Sequence, residues 1–149
     1  MTNTILLIED NPTDILLIQR AFRNEELAHI SLQIVKDGDT AVSYLSGAGE
    51  YGDRTRYPLP SIILLDLKLP RRSGHEVLAW IKQQPELKLL PVIILTSSRQ
   101  KVDVNQAYEL GVNSYLVKPV KFAALSEMIK SFSDYWLRIN EPPELLLEF

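Results

Sequence analysis

Three carboxylates, a threonine and a lysine each follow a short apolar run in this sequence. Glu9 and Asp10 end "ILLIED", Asp66 ends "IILLD", Thr96 ends "VIILT", and Lys118 with Pro119 ends "SYLVKP". Brought together, acids of this kind repel one another. Two like charges about 4 Å apart cost roughly 4 kcal/mol at an effective dielectric near 20. A proton or a cation must relieve that repulsion. An all-oxygen acidic site suits a hard ion, and Mg²⁺ is the expected one. Lys118 contributes a positive charge and three donors. Metal, lysine and hydroxyl together describe a holder for a phosphoryl group, and Asp66 can serve as its carboxylate nucleophile. Singly, these residues have plainer readings. Asp10 could cap a helix starting at Asn11-Pro12, and Thr96 could be a turn residue. Agreement among four strand ends favours the joint site.

The residues can meet only if the chain folds to bring those ends together. The short apolar runs read as buried strands at Ile5–Ile8, Ser31–Val35, Ile62–Leu65, Val92–Leu95 and Ser114–Val117. Helical spacing lies between them, through Ile15, Ile18 and Phe22, then Ala41, Val42 and Leu45, then Val77, Leu78 and Ile81. Val102–Leu110 follows more weakly. The last helix is marked by Phe122, Leu125, Ile129, Phe132, Trp136 and Ile139 in steps of three and four. Five strands alternating with five helices predict a doubly wound α/β domain, flavodoxin-like in type, with a parallel sheet covered on both faces. Sites in open α/β sheets form beyond the carboxyl ends of the strands. With strand order 2-1-3-4-5, the three acids, Thr96 and Lys118 gather at one edge.

Bulk properties narrow the function classes. The chain has 149 residues, the size of one domain. A formal net charge of −3 argues against a nucleic-acid surface. No cysteine is present, which removes disulfides and thiolate chemistry and fits a reducing cytoplasm. The N-terminus lacks the pattern of a signal peptide, and no apolar stretch is long enough to span a bilayer. A cytoplasmic domain without membrane or nucleic-acid partners is the expectation.

"LLIEDNP", "ILLDLKLP", "VIILTSS" and "NSYLVKP" resemble the signature segments of response-regulator receiver domains, the CheY-like fold. The resemblance runs from about Thr4 to Ile139. It implies that Asp66 is phosphorylated by a partner histidine kinase. Glu9, Asp10, Asp66 and the backbone carbonyl of Lys68 would surround Mg²⁺. Thr96 would be the switch hydroxyl, Lys118 the phosphate-contacting lysine and Tyr115 the switch aromatic. Phosphorylation would draw the loop after the fourth strand inward and let Tyr115 rotate from an exposed to a buried position. The family also implies a cis Lys118–Pro119 bond. Beside the site, the side chain of Lys68 would either shield the phosphoryl group and slow its loss, the favoured reading, or extend into solvent. The kinase would contact the first helix around Asn11 to Leu17.

Other readings stand beside this one. A receiver-like binding module working without phosphorylation usually lacks a key residue, and none is missing here. Aspartate-nucleophile phosphatases favour a second Asp two residues on, where Lys68 stands. "GAGEYG", Gly47 to Gly52, matches G-x-G-x-x-G but lacks the strand before it and the helix after it, so a flexible loop is expected within Ser46–Pro60. His29 and His75 read as surface residues, and Arg71 with Arg72 as a small basic spot.

Residues 1–139 are expected to form the receiver domain and 140–149 a C-terminal arm. The sequence stops after one receiver, so output is expected to pass through contacts with other proteins. Met128 and Tyr135 on the last helix, with Leu145, Leu146, Leu147 and Phe149 on the arm, are the expected residues of a homodimer or partner surface. The alternative is an arm folded back on its own domain. "GEYGDRTRYPLP", "LPRRSGHEVLAWIK" and "YWLRINEPPE" further resemble single-domain regulators that partner bacterial phytochrome histidine kinases.

Overall fold

A computed structural model describes residues 3–145. Five parallel strands, β1 Asn3–Ile8, β2 Ile30–Val35, β3 Ile62–Leu65, β4 Val92–Thr96 and β5 Ser114–Val117, form one sheet in the order β2-β1-β3-β4-β5. The helices between and after them are α1 Pro12–Phe22, α2 Gly38–Ser46, α3 Gly74–Gln83, α4 Lys101–Glu109 and α5 Phe122–Asp134. This is the doubly wound arrangement expected from the alternation of apolar runs and helical spacing. The three inner strands are continuously buried from Ile5 to Ile8, Ile62 to Leu65 and Val92 to Thr96, because helices cover both faces. Alternate residues feed two cores. Leu6, Ile8, Ile63, Leu65 and Ile94 join Val77, Leu78 and Ile81 of α3. Ile5, Leu7, Ile62, Leu64 and Ile93 join Ile18 and Phe22 of α1 and Leu125, Ile129 and Phe132 of α5.

The register places the chemistry. Ile8 lies opposite Leu65, Leu65 opposite Ile94, and Thr96 opposite Val117. Glu9, Asp66 and Lys118, each one step beyond its strand, therefore emerge at the same edge as Thr96.

Three stretches differ from expectation. Ser46–Pro60 is an ordered structure, not a flexible loop. Gly47 ends α2 with φ 73°, and a 3₁₀ turn follows at Gly49–Gly52. The Arg54 guanidinium donates to the carbonyls of Tyr44 (2.8 Å) and Leu45 (3.0 Å), filling acceptors left open by the helix end. The rings of Tyr44, Tyr51 and Tyr57 pack with centroids 4.9 to 6.0 Å apart. The Tyr44 hydroxyl donates to the Pro58 carbonyl at 2.7 Å. Glycine and proline content concealed this order, because its anchors are one arginine and three tyrosines.

The last helix also departs from a regular period. It runs as an α-helix to Asp134 and widens into a π-helical turn over Tyr135–Ile139, with Asn140 N–H donating to the Tyr135 carbonyl. Widening the turn changes which side chains face inward. Trp136 and Leu137 both pack on the core, while Ile139 is exposed. Met128 packs against that same core rather than standing clear of it. Tyr135 is half exposed beside the Trp136 ring. On the arm, Leu145 packs against the α3-side core of its own domain. Leu146, Leu147 and Phe149 lie outside the described residues.

The third difference is the Lys118–Pro119 bond. It is trans, since no cis peptide bond occurs among the described residues. The trans form is intrinsically favoured even before proline, by about 0.5–1 kcal/mol. With the bond trans, the Lys118 ammonium still meets three carboxylates, Glu9, Asp14 and Asp66.

Candidate functional site: an acidic pocket around Asp66

The local sequence accounts for each placement. Asn11, not Asp10, caps α1: its side chain accepts from Asp14 N–H at 3.0 Å, and Pro12 opens the helix. Asp10 is thereby left exposed and unused by the cap. Glu9 is fully buried, and its Oε2 accepts from the Asp10 and Asn11 N–H groups at 3.1 and 3.2 Å. Asp66 is buried at the end of β3, with its N–H donating to the Ile8 carbonyl at 3.0 Å. The side chain of Lys68 is exposed on the following loop.

That loop turns sharply to start α3. Arg71 adopts the left-handed φ of 71°, and Arg72 N–H donates to the Pro70 carbonyl at 2.8 Å. Ser73 and Glu76 then form a reciprocal cap on α3. Gly74 N–H donates to the Leu67 carbonyl at 2.9 Å. The approach is so close that a Cβ on Gly74 would stand 2.3 Å from the Asp66 carbonyl oxygen.

Glu9, Asp10 and Asp66 each offer an oxygen within 4.8 Å of the others, a set that fits a divalent metal ion. Lys118 faces the same acids. Its ammonium donates to Glu9 Oε1, to Asp14 Oδ2 at 2.8 Å and to Asp66 Oδ2 at 3.2 Å. Burial alone would lower the pKa of Lys118, but the bonds to Asp14 and Glu9 and the charge of Asp66 outweigh it and raise it. Glu9 moves upward to about 7, because burial disfavours its charge and Asp66 adds repulsion, against the pull of Lys118.

The sign of that shift gives a testable pH dependence. Glu9 holds a proton below about 7 when no cation is bound, and a cation must displace it. Divalent-ion affinity should therefore rise with pH and level off above that value. Between pH 6 and 8 the gain should be about tenfold. Titrations of Mg²⁺ at the two pH values check this, and equal affinities would refute it. The same shift makes the metal-free fold lose stability as pH rises from 4.5, the ordinary Glu value, towards about 7, because the folded chain holds the proton more tightly than the unfolded one.

Thr96 is buried at the end of β4, and Lys118 N–H donates to its carbonyl at 2.8 Å. Tyr115 is half-buried, and its hydroxyl donates to the Ser98 carbonyl at 3.0 Å. Ser98 Oγ also donates to Asp103 on α4, and the His75 ring meets the Asp103 carbonyl at 3.2 Å. The loop after Thr96 is thus tied to β5 and α4, and α4 in turn to α3. Of the sequence-expected residues, Glu9, Asp10, Asp66 and Lys118 meet in one pocket, Thr96 ends the neighbouring strand, and the Tyr115 hydroxyl is engaged with Ser98.

One participant, Asp14, was not anticipated. Its signal was available in the sequence. Asp14 is the third residue of a helix opened by Asn11-Pro12, one turn before the core residue Ile18, and so lies near the strand end.

Residues 5–130 match the model of the response regulator receiver domain. The chain belongs to this family. It is 43% identical over 133 residues to the response regulator Rcp1 of Synechocystis sp., covering 89% of this chain and 88% of that protein. It is 42% identical over 140 residues to a probable methanogenesis regulatory protein, FilR2, of Methanothrix harundinacea, covering 93% and 86%. Among solved structures it superposes on the phosphorylated cyanobacterial phytochrome response regulator RcpA. The TM-score is 0.89, with 38% identity and coverage of 97% of this chain and all of that one. A Mn²⁺-bound form of Rcp1 gives a TM-score of 0.84 at 40% identity, covering 95% and 99%. The receiver domain is the input module of two-component signalling, in which a histidine kinase is the partner. Among the described residues no helix is long and apolar enough to cross a membrane.

Proposed function

We propose that this receiver domain accepts a phosphoryl group on Asp66 from a histidine kinase, with Mg²⁺ held by Glu9, Asp10, Asp66 and the Lys68 carbonyl. The observation that carries the reading is the convergence of the Asp66 carboxylate, the metal-fitting acids and the Lys118 ammonium. Asp66 Oδ attacks phosphorus and forms a new O–P bond. The bond from phosphorus to the donor imidazole nitrogen breaks, and its electron pair stays on that nitrogen. When bound, the cation supplies charge neutralisation between the acids and the incoming phosphoryl oxygens. Lys118 then pairs with the phosphoryl group, and the Thr96 hydroxyl donates to it. Movement of Thr96 would loosen the Ser98 carbonyl from the Tyr115 hydroxyl and free the ring to turn inward.

The chain acts as a phosphoacceptor and not as a turnover enzyme. The exposed Lys68, where a phosphatase would carry an acid, supports this. Output passes through protein contacts, including a homodimer. Exposed Val102 and Tyr108 on α4 and half-exposed Tyr135 supply apolar surface for them. A phytochrome kinase is the proposed donor, supported by the likeness to Rcp1 and RcpA.

Incubation with an autophosphorylated phytochrome histidine kinase tests the reading. Label should move to the parent protein within minutes and not to Asp66→Asn. Label on Asp66→Asn would sink the assignment. Transfer to the parent only from kinases of other sensor types would remove the phytochrome partner.

A further inference from the structure

Lys118 has one ammonium and three carboxylate neighbours, and only Glu9 and Asp66 among them belong to the metal-fitting set. The third, Asp14, stands on the first turn of α1, where Asn11 fixes its backbone. Its side chain is 30% exposed, so it sits at the mouth of the pocket and not in its floor. Yet its bond to Lys118, at 2.8 Å, is shorter than the 3.2 Å bond from Lys118 to Asp66. A cavity of 30 Å³ lined by Asp14, Ile18, Lys118 and Leu125 leaves free space on the α1 side of the lysine.

Phosphorylation changes what the ammonium must do. Asp66 Oδ attacks phosphorus, an O–P bond forms, and the donor's bond to phosphorus breaks with its electron pair leaving on the donor. The Asp66 carboxylate becomes the acyl half of a mixed anhydride, an acyl phosphate, and loses its own charge, while the negative charge now lies outward on the phosphoryl oxygens. Lys118 can follow that charge only by giving up part of its resting set. Glu9 and Asp66 lie buried in the floor of the pocket. Asp14 draws the ammonium sideways towards α1, and its own negative charge faces an incoming anion.

We propose that Asp14 is a positioning residue that competes with the phosphoryl group for Lys118 and so restrains the phosphorylation of Asp66. The proposal rests on the phosphoacceptor reading above. Asp14 makes the resting pocket neutralise itself at the entrance, where a donor must approach.

The test follows phosphoryl uptake from acetyl phosphate with Mg²⁺ by intact mass, in the parent, Asp14→Asn and Asp14→Glu. Here the leaving group is acetate, which carries off the electron pair. Asp14→Asn should take up the phosphoryl group about three- to tenfold faster, the change expected for removing one charged partner at a half-screened site. Asp14→Glu keeps the charge and should restore the slower rate, which loss of helix structure would not explain. The Mg²⁺ concentration for half-maximal uptake should move less than the rate does. Parent uptake with an unchanged or slower rate in Asp14→Asn overturns this proposal alone. A parent that takes up no phosphoryl group overturns the phosphoacceptor reading and this proposal with it.

Discussion

Replacing Lys118 with methionine should destabilise the fold by about 3 kcal/mol at pH 8, the cost of leaving buried carboxylates without their cation. The argument starts from burial. Glu9 is fully buried and Asp66 nearly so, and Lys118 is the only cation that bonds to either of them among the described residues. Methionine keeps the stem volume and the packing near Leu125, so the loss is electrostatic rather than a cavity. For a domain of this size the change should lower Tm by about 6–12 °C. The effect should shrink at pH 6, because Glu9, already raised to about 7, then takes up a proton and removes one of the uncompensated charges. Added Mg²⁺ should return part of the stability by mass action. Thermal melts at the two pH values, with and without the ion, check all three statements. A variant as stable as the parent at pH 8 would mean that the acids are not held by Lys118.

Gly74→Ala should cost about 2–3 kcal/mol and also reduce phosphoryl uptake by Asp66. A Cβ at this position would stand 2.3 Å from the Asp66 carbonyl oxygen and 2.6 Å from Leu67 Cα. Both are backbone atoms and cannot swing aside, so α3 or the end of β3 must shift. Either movement displaces the phosphoacceptor. Gly49→Ala is the useful contrast: its Cβ meets nothing within 4 Å, and only the left-handed φ of 55° opposes it. That substitution should cost about 1 kcal/mol and leave uptake alone. Denaturant titration of both variants, paired with uptake rates, separates the two outcomes. Equal losses would remove the special role assigned to Gly74.

Much of this architecture was legible in the chain because burial writes a clear pattern. Continuous runs such as Ile62–Leu65 and Val92–Leu95 can be satisfied only between two helical layers, and each carries its functional residue at its end. The pocket residues could be read for the same reason, since position beyond a strand is a one-dimensional property. Asp14 was missed because it acts from a helix, where only three-dimensional placement shows what its side chain meets. The order of Ser46–Pro60 was hidden for a related reason. Arg54 bonds to carbonyls nine and ten residues earlier, and no periodicity records that. The π-helical turn at Tyr135–Ile139 escaped notice because Trp136 and Ile139 keep a helical spacing that the widened turn then redistributes. The Lys118–Pro119 geometry could be taken only from resemblance, and the bond is trans.

The most direct test of the central claim is the mass of the intact protein and of its Asp66 peptide after exposure to acetyl phosphate. The parent with Mg²⁺ should gain one phosphoryl group, located on the peptide carrying Asp66. Without the ion, or in Asp66→Asn, it should gain none. An adduct that persists in Asp66→Asn, or forms equally well with all divalent ions chelated, would contradict the account.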